Sequence, residues 1–592
     1  MPIQRLLIAN RGEIAIRIAR AAADLGISTV AVFSEDDEQS LHTRVADESS
    51  GLSGIGAGAY LDAEGILAMA EANGCDSIHP GYGFLSERAD FAAACVEHGM
   101  TFVGPSEYHL SLFGDKARAR AAAVAADVPV LRGYDEAVSL ERAAEFLGTL
   151  GSDGAMIIKA IAGGGGRGTR TVRSIDELEE AYKRCQSEAQ TAFGLADVYV
   201  EEYVKQARHV EVQILGDLHG GVTHLGEREC SVQRRNQKVV EIAPAPGLPD
   251  SLRTQLIDAA VRFASKEGYT NLGTFEFLID TTGQAPDSPF VFIEANARLQ
   301  VEHTVTEEVT GVDLVQTQIR LADGESLADL GLDEPQVATP RGYAIQARVN
   351  METIAADGSV RPNAGTLSIY EAPNGPGVRT DGFGYAGYKT STSFDSLLAK
   401  VIVHSGSSEF ASAIVRMRRA LSEFRISGVE TNIPFLLNVL AHEDFAESRV
   451  ITRWVDNNVA ELAEEQVKSR ARFVESDASV DGHEVGGFAG ARVDTSDPLA
   501  LFDHDAKVKS RGSGEVVADD DVVVTGPDGS VGMSSPIQGT IISIDVDQDD
   551  QVRAGQQVAV VEAMKMEHVI RSGIDGIVRE ITMSAGDVVR DG

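Results

Sequence analysis

The sequence predicts an α/β and α+β multidomain chain ending in a small all-β domain, and three stretches carry that prediction. Residues 5–33 run strand, turn, helix, strand, the opening of a parallel α/β unit. Between 274 and 303, polar and apolar residues alternate along two carboxylate-bearing stretches, as strands with one apolar face require. The last sixty residues hold a repeat spaced 37 apart: Gly539 matches Gly576, Ile541 matches Val578, Ile544 matches Ile581, and Val552-Arg553-Ala554-Gly555 matches Val589-Arg590-Asp591-Gly592. Two similar β-ribbon halves that share a core place EAMKMEH, the stretch between them, at an exposed hairpin tip.

At the start, RLLIA reads as a strand, NRGE as a turn, IAIRIARAAADLG as a helix and STVAVF as the next strand. A dinucleotide-binding turn needs three glycines for close approach of a pyrophosphate, and this one has only Gly12. A nicotinamide cofactor is set aside on that ground, and Glu35-Asp36-Asp37 reads as a solvated turn. This N-terminal α/β domain is expected to span 1–114, followed over 115–345 by helices and alternating strands. Residues 346–464 carry short strands with Gly/Pro turns and then helices that hold the only tryptophan, Trp454. The polar, acidic, Gly/Asp/Ser-rich stretch 465–532 reads as a linker with limited structure, and the repeat occupies 533–592.

Composition narrows the function classes. With 52 Lys+Arg against 90 Asp+Glu the formal net charge is −38, which repels a polyanion, so nucleic acid is not an expected partner. Cys75, Cys95, Cys185 and Cys230 are scattered without CxxC spacing, so neither a disulfide framework nor a structural zinc site is expected and a reducing cytoplasm fits. The apolar run at the N-terminus is too short for a signal-peptide core or a membrane span, so no membrane association is expected.

The chemistry gathers in the second region. MIIKAIAGGGGRGTRTV sets Gly163, Gly164, Gly165, Gly166 and Gly168 between a strand ending at Lys159 and another beginning near Thr169. A flexible linker seldom separates two apolar strands so tightly, and successive bare N–H groups can wrap a phosphate. No GxxxxGK[ST] is present, so a nucleotide is not held in the Walker manner. Lys116 and Lys159 are natural phosphate partners.

In TFEFLID, Glu276 points away from Phe275, Phe277 and Ile279. FIEANARLQVEH, if it stays extended, puts Glu294, Asn296, Arg298, Gln300 and Glu302 on one face. Such a face is a site wall or a plain solvent face. Magnesium takes hard oxygen ligands and shares them with substrate phosphates, and Glu276, Glu294 and Asn296 supply such atoms. Beyond them Glu302 is placed to act as a general base on a small substrate. On HVEVQIL the residues His209, Glu211 and Gln213 face opposite to Val210, Val212 and Ile214, which leaves His209 open to a structural role or to nucleotide contact.

These residues carry a family resemblance. GDK at 114–116, IIKAIAGGGGRG at 157–168, RHVEVQIL at 208–215, QRRNQK at 233–238, GTFEFL at 273–278 and EANARLQVEH at 294–303 resemble the biotin carboxylase branch of the ATP-grasp enzymes. EAMKM at 562–566 resembles the attachment site of a biotin carboxyl carrier domain. The resemblance implies a biotin carboxylase-type ATP-grasp fold with a mobile lid at about 131–204, then a linker and a biotinyl/lipoyl-like domain. It also implies that ATP and bicarbonate give carboxyphosphate, which releases CO2 to the ureido nitrogen of biotin. By position, Lys116, Lys159, His209, Gln233, Lys238 and the loop Gly163, Gly164, Gly165 and Gly166 contact nucleotide or phosphates, and Glu201 to Val204 line the adenine site. Glu276, Glu294 and Asn296 bind Mg2+ or Mn2+, Glu302 deprotonates bicarbonate, Arg298 orients it, Lys238 adds positive charge, and Arg348 stabilises the biotin enolate. Three positions depart from the pattern: Asn236 stands where the family usually has histidine, Ala162 replaces a glycine, and Gln346 occupies a place often taken by glutamate. Cys230 falls near this pocket and is given no role.

Lys565 is the expected biotinylation site, flanked by Met564 and Met566 and reached there by a biotin protein ligase. The first half of the repeat continues after Gly555 into the strand QQVAVVEA, whose counterpart would lie beyond Gly592, so the natural chain is expected to continue and the carrier domain to lack its last strand here. Carboxybiotin needs a carboxyltransferase, either a separate subunit or a C-terminal domain, within an oligomeric complex. A pyruvate carboxylase has its transferase between the two signatures, where only about seventy residues are available, so an acyl-CoA and a place in fatty acid metabolism are expected. The alternatives are an inactive biotin-carrying scaffold and an ATP-grasp ligase for another acid.

Overall fold

The computed structural model of the chain describes residues 2–134, 136–151, 154–161, 169–193, 195–282, 289–333, 339–464, 530, 532–533, 535, 539–563 and 566–589. Two compact units result, Met1–Arg472 and Phe473–Gly592.

The first unit opens on a parallel sheet. Strands β1 (Arg5–Ile8), β2 (Ser28–Phe33), β3 (Glu48–Gly51), β4 (Ser77–His79) and β5 (Thr101–Phe102) lie in the order β3-β2-β1-β4-β5. The helix Gly12–Asp24 follows β1 and is buried almost all round, with Ile14, Ile16 and Ile18 at 2% exposure or less. A helix so enclosed must satisfy its charges internally. Its Arg17 donates to Glu307 at 2.8 Å and to Asp313 at 2.6 Å. The acidic run behaves differently from the solvated turn expected of it: Glu35 and Asp36 are exposed, but Asp37 is buried, because Arg11 from the opening turn pairs with it and the Tyr60 hydroxyl donates to it at 2.9 Å.

Strands β6 (Met156–Ala160), β7 (Thr169–Val172) and β8 (Val198–Glu202) form a three-stranded antiparallel sheet in the order β7-β6-β8. Met156, Ile158, Val172, Val198 and Val200 build its core with Phe146, Leu147, Leu178 and Tyr182 of two helices. The glycine loop between β6 and β7, including Gly163, Gly164, Gly165 and Gly166, lies outside the described residues.

The largest element is an eight-stranded antiparallel sheet. It contains β9 (Ala207–Gly216), β10 (Val222–Arg234), β11 (Gln237–Ala243), β12 (Asn271–Asp280), β13 (Phe290–Asn296), β14 (Tyr343–Asn350) and the strands Val378–Gly382 and Leu397–Ser405. The order is β13-β12-β9-β10-β11-β14, then Leu397–Ser405, then Val378–Gly382. The boundary expected between 345 and 346 therefore falls inside β14, and backbone pairing runs straight across it. Phe275, Phe277, Phe290 and Phe292 pack on one face against Phe263 and Phe113, so the opposite face is left for polar groups. Between β10 and β11, Arg235 and Asn236 both have positive φ, 46° and 66°. A two-residue hairpin turn of that hand favours asparagine at low strain, which accounts physically for Asn236.

Gly342 leads into β14 with φ of +73°, and a Cβ there would sit 1.9 Å from the Ser405 carbonyl oxygen. Gly342→Ala is accordingly expected to destabilise the unit by about 1–3 kcal/mol through overpacking and a strained φ. A urea midpoint unchanged from the parent would disprove it.

In the second unit, Met566–Arg571, Gln557–Ala563, Gly539–Ile544 and Val588–Val589 form a four-stranded sheet in that order, and Gln551–Val552 pairs with Gly576–Ile577. The sequence repeat reappears in the registers. Gly539 pairs with Val589 and Thr540 with Val588, while Gly576 pairs with Val552 and Ile577 with Gln551. Each pair maps onto the other by the same 37-residue step, so the two halves are related by an internal near-twofold. The hairpin ladder ends at Ala563 opposite Met566. Met564 and Lys565, between them in sequence, lie outside the described residues. No helix among the described residues is long and apolar enough to cross a membrane.

Candidate functional site

The polar face of the large sheet carries a charged row. Arg228 of β10 is opposite Glu211 of β9, Glu211 is opposite Glu276 of β12, and Glu276 is opposite Glu294 of β13. Directly opposed residues project to the same face, so three carboxylates stand side by side. Arg228 and Glu211 are fully buried and Glu276 is 2% exposed. Adjacent buried carboxylates survive only with cations among them.

The cations come from four elements. Arg228 donates to Glu211 and also reaches Gln213 at 2.8 Å, Thr274 at 3.0 Å and Thr306 at 3.0 Å. Lys238 of β11 lies 2.6 Å from Glu211, 3.2 Å from Glu276 and 2.6 Å from Glu302. His209 Nε2 is 2.7 Å from Glu276, an ion-pair distance. Lys116, at the start of the helix Lys116–Ala125, pairs with Glu294. Burial alone would push the Glu276 carboxyl up, but Lys238 and then His209 hold it well below the usual carboxylate range. The Lys116 ammonium is the main influence lowering Glu294.

Glu302 reaches the site by a different path from the one expected. Continuous extension over 292–303 would have kept it on a strand, but β13 ends at Asn296 and Glu302 lies at the N-cap of the helix His303–Thr310. The irregular turn between them still buries Glu302 completely, with Lys238 on one oxygen and Arg348 on the other at 3.1 Å. Burial raises this carboxyl's pKa; Lys238, then Arg348 and Arg228, outweigh it and hold it at about 2.

Arg348 of β14 also donates from Nε to Glu241 at 2.6 Å. Arg298 donates to Glu87 at 2.9 Å, to Asn296 at 3.1 Å and to Gln300 at 3.3 Å. The Asn296 and Gln300 amides donate to the same Glu276 oxygen at 2.6 Å and 2.7 Å. Lys159 and Arg120 hold Glu201 at 2.6 Å and 3.2 Å, and Lys116 and Glu294 feel the charges of Glu201 and Lys159 respectively. Gln233 is buried opposite Lys238 in the β10–β11 ladder, and Val204 follows β8.

The structure thus brings Lys116, His209, Lys238, Glu276, Glu294, Asn296, Arg298, Glu302 and Arg348 into one network, with Lys159 and Glu201 on its border. Sequence reasoning assigned no function to Glu211, Arg228, Glu241 or Gln300. Glu211 was within reach, since it shares the polar face of HVEVQIL with His209. Cys230 is buried, with its sulfur within 4.8 Å of a Glu211 and a Glu302 oxygen, and burial pushes the thiol well above its ordinary range. Glu276, Glu294 and the Asn296 side-chain oxygen are hard ligands that fit magnesium or manganese, and one donor atom each of His209, Glu211 and Glu276 lies within 4.8 Å of the others.

Gln346 has a local explanation. It is fully buried opposite Glu241, donates its amide to Glu241 at 2.9 Å and accepts the Thr304 hydroxyl. Gln346→Glu sets a second carboxylate against a buried one, so one of the pair must take a proton. A carboxyl pKa raised by folding favours the folded state at lower pH, so the variant is expected to lose about 1–3 kcal/mol near neutrality and to recover part of it as pH falls. Urea midpoints at pH 8 and pH 5 that differ from the parent's by the same amount would contradict this.

Fold and site together have the layout of the ATP-grasp class, with clustered lysines and carboxylates on a large sheet beside a smaller sheet. Residues 2–110 match the family described as biotin carboxylase, N-terminal domain; 115–330 match carbamoyl-phosphate synthase L chain, ATP binding domain; and 346–457 match biotin carboxylase C-terminal domain. Residues 513–592 match biotin-requiring enzyme. The biotin carboxylase domain of Hydrogenobacter thermophilus 2-oxoglutarate carboxylase, solved with MgADP, ADP and bicarbonate, is 40% identical with a TM-score of 0.73 over 78% of this chain and 99% of that one. The chain belongs to the biotin carboxylase family. Mouse mitochondrial pyruvate carboxylase is 49% identical over 463 residues, 77% of this chain and 38% of the mouse protein. The chain thus spans about two fifths of the length of that relative. A single-chain, multi-domain long-chain acyl-CoA carboxylase is 37% identical with a TM-score of 0.69, over 100% of this chain and 50% of that one.

Proposed function

We propose that this chain carboxylates biotin carried on its own Lys565, using ATP and bicarbonate, and supplies a carboxyltransferase that acts on an acyl-CoA. The observation that carries the reading is the buried Glu302 held between Lys238 and Arg348 beside a row of metal-fitting carboxylates. Magnesium held by Glu276, Glu294 and Asn296 would neutralise phosphate charge.

The chain's own groups do the rest. Lys116, Lys159, His209 and Gln233 bind the nucleotide, with Glu201 and Val204 along the adenine and a lid near 131–204 covering it. Glu302 takes the bicarbonate proton, and the resulting oxyanion attacks the γ-phosphorus as ADP leaves. Carboxyphosphate then breaks into CO2 and phosphate, the phosphate accepts the biotin N1 proton, and the nitrogen adds to CO2. Lys238 and Arg298 stabilise the anions, and Arg348 stabilises the negative ureido oxygen as its charge develops. With a pKa of about 2, Glu302 is a weak base while Lys238 and Arg348 both hold it. Incoming anions that share those cations raise its basicity as the substrate arrives.

Full-length similarity to a long-chain acyl-CoA carboxylase, running through the biotinyl part, supports acyl-CoA as acceptor. A second reading, pyruvate, draws on the 49% identity of the catalytic part to a pyruvate carboxylase. A biotin protein ligase modifies Lys565, and the transferase sits in the same oligomeric complex. The test is ADP release by the whole protein with bicarbonate and free biotin, followed by labelled-bicarbonate fixation on propionyl-CoA, palmitoyl-CoA or pyruvate. ADP release indifferent to bicarbonate and biotin would point to the scaffold reading; label in pyruvate alone would move the acceptor.

A further inference from the structure

Lys400 is a buried ammonium that the proposed chemistry does not use. It stands on the strand Leu397–Ser405, 0% exposed, directly opposite Arg348 of β14. A charge so enclosed must be paired and hydrogen-bonded. Its charged partner is Glu13 of the helix Gly12–Asp24, at 3.0 Å. It also donates to the Val301 carbonyl oxygen at 3.2 Å.

That carbonyl belongs to the peptide that joins Val301 to Glu302. The turn closes from His303 N–H to the Gln300 carbonyl at 3.3 Å and the helix from Val305 N–H to the Glu302 carbonyl at 3.3 Å, so between these two acceptors the Val301 carbonyl takes its bond from Lys400. Arg348 and Lys400 share one ladder position, and each reaches the Glu302 segment: Arg348 holds the carboxylate and Lys400 holds the backbone behind it. Glu13 is itself tied down, since Tyr82 donates its hydroxyl to the other Glu13 oxygen and Asn10 donates to the Tyr82 carbonyl at 2.8 Å. Asp381, opposite Lys400 on the neighbouring strand, is occupied by Arg379 at 2.7 Å.

We propose that Lys400 is a positioning residue for the biotin carboxylation reaction, clamping the Val301–Glu302 peptide so that Glu302 meets bicarbonate in register with Lys238 and Arg348. This rests on the function proposed above. Misplacing a reacting group by about 1 Å costs on the order of a hundredfold in rate, so a loosened Glu302 should be visible in kinetics specific to bicarbonate.

The experiment compares the whole protein with Lys400→Met, Lys400→Arg and the double variant Glu13→Gln/Lys400→Met. The double variant removes both buried charges and leaves the Val301 carbonyl unheld. Expected is a loss of about tenfold or more in kcat/KM for bicarbonate in both methionine variants. The KM for ATP should stay within about twofold of the parent, and arginine should restore much of the loss. Parent-like kcat/KM for bicarbonate in a folded methionine variant overturns the proposal, as does an equal loss of ATP affinity or failure of both methionine variants to fold. If the parent itself lacks bicarbonate-dependent ADP release, the functional reading has failed, which the parent control separates from failure of this inference.

Discussion

Lys565→Arg is expected to abolish self-carboxylation completely while leaving ATP cleavage with free biotin within about twofold of the parent. Biotin attachment forms an amide and needs a primary amine, which a guanidinium does not supply. A tethered biotin meets the catalytic unit at an effective concentration near the millimolar range for a short flexible connection, an advantage free biotin lacks. Intact mass and protein-bound label from bicarbonate, read at alkaline pH because carboxybiotin loses CO2 in acid, are the measurements. Protein-bound label in the arginine variant would show that biotin sits elsewhere.

Glu302→Gln is expected to lower bicarbonate-dependent ADP release by about 10²–10⁴-fold with nucleotide affinity retained. The variant should fold, because Lys238 keeps Glu211 and Glu276 and Arg348 keeps Glu241. Folding lowers the Glu302 pKa from 4.5 to about 2, so its contribution to stability is present above the higher value and fades as pH falls toward the lower. The stability gap between parent and variant should therefore narrow over that window. Urea midpoints across acid pH read the gap, and ADP release at neutral pH reads the catalysis. A gap constant with pH would contradict the assigned pairing, and retained bicarbonate-dependent turnover would remove Glu302 from the chemistry.

Local pattern foretold much of this architecture, and the misses have physical causes. The first strand and helix lie where apolar periodicity places them, and the 37-residue repeat is matched residue for residue in the ladders of the second unit. Alternation in TFEFLID located Glu276 correctly on the face away from the phenylalanines. The same logic extended the next strand too far, because period two cannot register the change of direction after Asn296 that turns Glu302 into a helix cap. Asp37 was misread because its partner Arg11 is 26 residues away. Glu211 escaped notice as a site residue because its importance depends on sheet order: β9 lies between β10 and β12, which no single strand announces.

Arg17 closes onto Glu307 and Asp313, Glu13 onto Lys400, and Gly539 onto Val589, so early segments of the chain complete their contacts only with much later ones. During synthesis the N-terminal helix therefore emerges with charges that it must bury long before their counterions exist. Its final docking waits until residue 400 has left the ribosome, at roughly 5–20 residues per second. In the second unit the strand Gly539–Ile544 finds one partner early, Gln557–Ala563, and its other edge is covered only by Val588–Val589. A chain released before residue 400 would hold no settled Glu302.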